Sequence, residues 1–464
     1  MSDSLGLVFV QCLLAITGVI ALLLRRQTAY LGITCLFAFS VFSASLSAFF
    51  FGRIFGLGEQ WLTAYHERVL TYSGWAFIAA AAAMWLGWWP SKRERRNFQN
   101  VHEANKEGFP WVTKQFVFFA LALGAVCTVL LPLLSTVPTV GTGMTLLASW
   151  LKLGLIVAVV LFKIRGDIRP LVIAVIIYIP AAMVYALRSG HTPLSLDAII
   201  PIALVASCLN RVTLWSFVKL FAWMIPCVYL MFSWMASRSV IRSGELEQFS
   251  MSERAIRFAD VFVDNLMSLK ITAYDVQYLI FERIDMTDLL AQQVGFQSSP
   301  TGEDEFQYGG TIMDGLYAVV PRALWPDKPI VAGYADFVSQ YTGMVRESGD
   351  PTSIGIPVQF ELYANGGPRL VVVGIFVLFY LCARFERFVA SSAHSLGVLM
   401  PSLMLLMCFS NGIERIMLVA ATGTAGALVS FAVAKAVETF FPQLLPQFRI
   451  ARFPRRLRGP LPAT

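Results

Sequence analysis

Apolar runs of about twenty residues, separated by short polar connections, fill the first half of the chain and return near its end. A helix needs ~20 apolar residues to cross ~30 Å of hydrocarbon. On that length the pattern predicts about eleven membrane-spanning helices. They lie over 5–24, 29–50, 70–89, 115–136, 144–162, 170–187, 194–210, 213–236, 369–385, 394–411 and 416–440. The sixth, seventh and tenth are short for a full crossing. The first run has no basic segment ahead of it and no small-residue cleavage site before the second, so it reads as a retained helix.

Between the eighth and ninth runs the period changes. Residues 252–270 place Ile256, Ala259, Val263, Leu266 and Leu269 on one helical face. Residues 273–294 space Val276, Leu279, Ile280, Ile284, Leu289 and Ala291 in a mixed helical pattern. Both predict amphipathic helices that lie on a membrane surface or cap a bundle. The Gly, Ser and Pro content of 298–310 marks a loop. The chain thus divides into an eight-helix block over 1–236, a long polar segment over 237–368, a three-helix block over 369–441 and a basic tail over 442–464. The expected fold class is all-α, a polytopic integral membrane protein with one large external loop. No internal repeat is visible.

Composition agrees. Of 464 residues, 57% are hydrophobic and only 14% charged, against about 25% charged in soluble domains. The net charge of +7 bears on topology rather than on nucleic acid. With 91–114 cytoplasmic, the cytoplasmic connections and tail carry nineteen Lys and Arg, and the opposite short connections carry four. By the positive-inside rule this sets the N-terminus and residues 237–368 outside and the C-terminus inside. The seven cysteines fall within or at the ends of the apolar runs. With no CxxC or Cys/His cluster, neither a disulfide framework nor a zinc site is expected.

Phosphate-loop, kinase, zinc-protease and serine-hydrolase signatures are absent from the sequence. His66 and His191 fall on the external side and suit exposed surface better than catalysis. The acidic triplet Glu303–Glu305 suits an exposed turn better than a metal. Three clusters carry more. In TIMDGLYAVVPRALWPDKP, 311–329, Pro321, Pro326 and Pro329 forbid a continuous helix and brace the backbone. They hold Arg322, Trp325, Asp327 and Lys328 in set directions. Arg322 offers a planar fork to phosphate and Lys328 a point charge. Trp325 suits a sugar face or the membrane interface. In PVQFELYANGGPR, 357–369, Glu361 stands just ahead of the ninth run. Desolvation there would raise its pKa and suit it to general-base work, or it is a helix-end carboxylate bonded to its neighbours. In SNGIER, 410–415, Glu414 and Arg415 either pair or close the site from the other side; Asp197 and Arg188 are similar cases.

The succession GTIMDGLYAVVPRALWPDKP, a Gly/Tyr-rich stretch, then QFELYANGG before an apolar run resembles the Wzy-like O-antigen and exopolysaccharide repeat-unit polymerases. The likeness in residues covers about 275–370; elsewhere it is one of layout. It implies a helical membrane glycosyltransferase (GT-C-like) in the bacterial inner membrane. Such an enzyme would move a growing glycan from one undecaprenyl-diphosphate carrier onto the end of a lipid-linked repeat unit, with no metal and no cofactor. Partners would be lipid-linked glycans, membrane lipid and a chain-length regulator. On that resemblance Arg322 and Lys328, with Arg283 and Arg415, would hold diphosphate and Trp325 would stack on sugar. Glu361, or else Asp314, would be the base. An O-antigen ligase-like transferase and a non-enzymatic flippase or transporter are the rival readings; a transporter would show repeats, broken helices or a charged lumen.

Overall fold

The computed structural model describes residues 64–88, 114–134, 150–189, 249–268, 287–299, 334–343 and 358–392. It adds scattered positions within 7–14, 147–148, 215–237, 306–327 and 432–439. Among the described residues every regular element is a helix: α1 (Ala64–Trp88), α2 (Lys114–Leu134), α3 (Trp150–Arg165), α4 (Arg169–Ser189), α5 (Met251–Met267), α6 (Thr287–Gln297), α7 (Tyr334–Thr342) and α8 (Val358–Ser392). Two helical stretches, Glu67–Gly87 and Val358–Leu381, are long and apolar enough to cross a membrane. Shorter apolar helices cover Phe116–Leu130, Trp150–Val159 and Arg169–Val184. These five correspond to the third, ninth, fourth, fifth and sixth expected spans. The first, second, seventh, tenth and eleventh lie almost wholly outside the described residues. The eighth is represented by helical positions at 215, 218, 222, 229, 230, 233, 234 and 237.

α1 and α8 pack along their length. Ala76, Ala80, Ala83 and Gly87 form a stripe of small, buried residues on α1 that lets the backbones approach closely. A Cβ on Gly87 would fall 2.6 Å from that of Ala383. At the other end the Tyr72 and Tyr363 rings lie 5.4 Å apart. The contacts follow the same order on both helices, so α1 and α8 run the same way. Odd-numbered spans have that relation. The outer face of α8 leaves Val373, Val377 and Leu381 exposed at a spacing of four.

α2, α3 and α4 pack on one another. α3 ends where Gly166 takes φ +69° and returns its N–H to Phe162 O at 2.8 Å, a left-handed cap. The next residue, Asp167, accepts from the Arg169 N–H and pairs with Lys114 at the start of α2. The pair sets the 163–169 connection beside the end of 91–114, two segments that the charge count assigns to one side.

α5 opens on a capping box. Ser250 Oγ accepts from the Glu253 N–H, and the Glu253 carboxylate accepts from the Ser250 N–H. The hydrogen bonds from Ser250 to this exposed carboxylate hold it below its ordinary pKa. α5 buries a different side from the stripe that the periodicity singles out. Phe258 packs tilted and Phe262 edge-on against Trp234, at 4.6 and 6.3 Å between ring centres. Ile256, Ala259 and Val263 stay exposed and Leu266 is half-buried; Leu269 lies outside the described residues. Of the second expected amphipathic helix, 287–294 is helical within α6. Its start, with Val276, Leu279, Ile280 and Ile284, lies outside the described residues. α7 is a nine-residue helix in the Gly/Tyr-rich run.

Candidate functional site

The ninth expected span begins at 369, but the helix starts eleven residues earlier and is broken. Gly366 (φ −171°, ψ 25°) and Gly367 (φ 66°, ψ −162°) leave helical geometry, and Pro368 follows. Pro suits the first turn of the new helix, where its missing N–H has no partner to lose. The break is a reversal. Leu362 and Gly374, ~18 Å apart along a straight helix, lie in contact: a Cβ on Gly374 would meet Leu362 Cδ2 at 2.6 Å. Residues 358–365 thus form a short helix folded back on 368–392.

That short helix is buried throughout, and each face has its own neighbour. Phe360 is fully buried among Phe337 and Tyr341 of α7, at 5.8 and 6.4 Å. Burial of such a ring contributes roughly 1.5–3 kcal/mol. Its carbonyl accepts from Gln293 Nε2 of α6 at 2.9 Å. Tyr363 faces Tyr72 of α1 and lies edge-on to Phe306 at 6.3 Å. Glu361 and Asn365, one turn apart, share the remaining face and are both 2% exposed.

Breaking a helix orphans its last carbonyls. Here the 306–311 segment satisfies two of them: the Gln307 N–H donates to Ala364 O at 2.9 Å and the Tyr308 N–H to Asn365 O at 3.1 Å. The Asn365 side chain completes the joint. Its Oδ1 accepts from the Gly309 N–H at 3.0 Å, and its Nδ2 donates to Thr311 Oγ1 and to Glu361 O. Holding this joint puts Tyr308 at φ +41°, with its ring exposed. A non-glycine residue in that region costs of order 1–2 kcal/mol, here set against the two carbonyl caps.

The chain matches no family model, no curated protein and no solved structure.

Two clusters that are separate in sequence therefore meet. Glu361, from the 357–369 cluster, sits one helical turn from the residue that grips Thr311, the first residue of the 311–329 cluster. Beyond Thr311, helical positions run to Tyr317, Val320 is in a bend, and Trp325 and Asp327 are non-helical, as the prolines require. Trp325 packs edge-on to Tyr317 at 5.4 Å and keeps part of its ring exposed. Asp327 is exposed. Asp314, Arg322, Lys328, Arg283 and Arg415 lie outside the described residues, as do Glu303–Glu305, His191 and Asp197. His66 stands on α1, with its side chain outside the description. Asn365, Gln293 and Gln359 were not singled out from the sequence. The usable signal for Asn365 was its place in Asn-Gly-Gly-Pro, a helix stop with an amide at the end.

Proposed function

We propose that this chain polymerises undecaprenyl-diphosphate-linked oligosaccharide repeat units at the outer face of the bacterial inner membrane. In this reading it is a helical membrane glycosyltransferase (GT-C-like) of about eleven spans, with its N-terminus periplasmic and its C-terminus cytoplasmic. One observation carries the reading: the Asn365–Thr311 hydrogen bond fastens the helix that bears Glu361 to the start of the proline-braced cationic segment. The parallel run of α1 and α8 and the Lys114–Asp167 pair support the alternating topology.

The chemistry needs a base on the acceptor hydroxyl and fixed positive charge for the leaving diphosphate. The acceptor oxygen attacks the anomeric carbon of the donor glycan. The bond from that carbon to the lipid diphosphate breaks, and the lipid diphosphate leaves with the electron pair. Glu361 takes the hydroxyl proton. Arg322 and Lys328 hold the diphosphate, with Arg283 and Arg415 as further contacts, and Trp325 offers its ring to a sugar. A chain-length regulator is the expected protein partner.

The test is complementation of a strain deleted for the gene. Glu361→Gln and Arg322→Ala are expected to leave single repeat units in place of long polymer on a glycan gel, at normal protein level. Normal long-chain glycan from both variants would sink the assignment. One observation favours a second reading. A helix broken beside buried Gln359, Glu361 and Asn365 is also a transporter feature. In that case loss of the protein leaves no lipid-linked repeat unit on the outer face, whereas loss of a polymerase leaves single units there.

A further inference from the structure

We propose that α5 lies in the membrane–water interface, with Ile256, Val263 and Met267 inserted among the acyl chains. The proposal rests on the membrane reading above and is independent of the polymerase chemistry.

At ~100° per residue α5 divides into three sectors. The first holds Phe258, Phe262 and Asn265 and faces protein: the two rings pack on Trp234, and Asn265 Nδ2 donates to Ser237 Oγ at 3.0 Å. The second holds Glu253, Arg257, Asp260 and Asp264, all exposed. The third holds Ile256, Val263 and Met267, within about 40° of one another, at 61%, 51% and 76% exposure. Ala259 flanks them. A helix in water needs one apolar face, turned to protein. This one has a second apolar sector, reached from the first through Leu266 and Ala259 and bounded by charge on its far side. The second apolar face, with charge on one flank and packed protein on the other, fits a helix half-sunk in lipid.

The crossing geometry places that face. Tyr229 Oη donates to Leu266 O at 2.6 Å, Trp234 meets Phe258 and Phe262, and Ser237 meets Asn265. Contacts between helices lying side by side advance steadily along both. These do not, so α5 crosses the 229–237 stretch. That stretch ends the eighth apolar run, and a helix crossing the end of a span lies along the membrane plane. At the near end of α5, Arg257 lies 3.9 Å over the Phe249 ring and Arg254 Nε donates to Phe249 O, which fixes the entry into the helix. The charged sector is mixed in sign, so insertion is apolar rather than electrostatic and zwitterionic lipid suffices.

The experiment uses the full chain in phosphatidylcholine nanodiscs. A fluorescent amino acid is placed singly at 256, 263, 267, 260 or 75. Trp75, exposed on α1, serves as the control for membrane embedding. A nitroxide on the acyl chain is expected to quench positions 256, 263 and 267 and leave 260 bright, while aqueous iodide does the reverse. Quenching of 263 and 267 by iodide, with 75 quenched by lipid, overturns this inference alone. Loss of lipid quenching at 75 as well overturns the membrane reading with it. Positions dark to both quenchers, but self-quenched only when two labelled copies share a disc, overturn it in favour of a second copy on that face.

Discussion

The amide of Asn365 donates to the hydroxyl of Thr311 across 54 residues of sequence, and both groups are buried. The same amide spans its own helix to Glu361 O and receives the Gly309 N–H. Removing it leaves that N–H and the hydroxyl unsatisfied. An unmade buried hydrogen bond costs ~1–3 kcal/mol. Asn365→Ala should therefore lower unfolding stability by about 2 kcal/mol, and Thr311→Val, which breaks a single bond, by about 1. Denaturant titration in detergent measures both; an Asn365→Ala protein as stable as the parent would show that the joint contributes nothing.

Gly367 has two reasons to be glycine. Its φ of +66° is one that L residues avoid, and a Cβ there would stand 3.0 Å from Phe306 Cζ. Gly367→Ala should cost ~1–2 kcal/mol from the backbone alone. Adding Phe306→Leu should recover only the contact part. Gly366, at φ −171°, carries no such backbone demand, and its Cβ would press on the Leu370 side chain at 3.0 Å. Gly366→Ala should be the milder change. Equal melting temperatures for the two single variants would refute this account of the reversal.

Gly124 of α2 meets the backbone of Leu151 on α3, and a Cβ would overlap Leu151 N and Cα. Backbone cannot rotate away, so the helices must separate. Gly154→Ala meets chiefly the side chain of Leu121, with its Cγ at 2.8 Å. Overpacking costs ~1–3 kcal/mol; Gly124→Ala should fall at the top of that range and Gly154→Ala at the bottom. Thermal unfolding of the two side by side decides it.

The Lys114 ammonium, aided by the Arg169 N–H, holds the Asp167 carboxyl below the usual carboxylate range. The folded pKa is then lower than the unfolded one. Its stabilisation is complete above the ordinary aspartate value of about 3.9 and is lost as pH falls through the folded value. Asp167→Asn should melt slightly below the parent at neutral pH, and the two should converge in acid below about pH 4. A gap that persists unchanged into strong acid would mean that charge is not what Asp167 contributes.

Local patterns carried much of this fold. α1, α2, α3 and α4 fall on the apolar runs 70–89, 115–136, 144–162 and 170–187, because hydrophobicity and helical period belong to each segment by itself. The prolines at 321, 326 and 329 excluded a continuous helix through sterics that need no partner.

What the sequence determined alone were these short-range choices. Tertiary structure decided that the helix reverses at Gly366–Gly367, because glycine permits that turn without requiring it. It decided that α5 buries Phe258 and Phe262 rather than the Ile256 stripe, because a helix with two apolar sides leaves the choice to its neighbour, here Trp234. It also decided that Asn365 reaches Thr311. A hydrogen bond across 54 residues leaves no trace in the period of either segment; it exists because the broken helix exposes carbonyls that only another stretch of chain could cap.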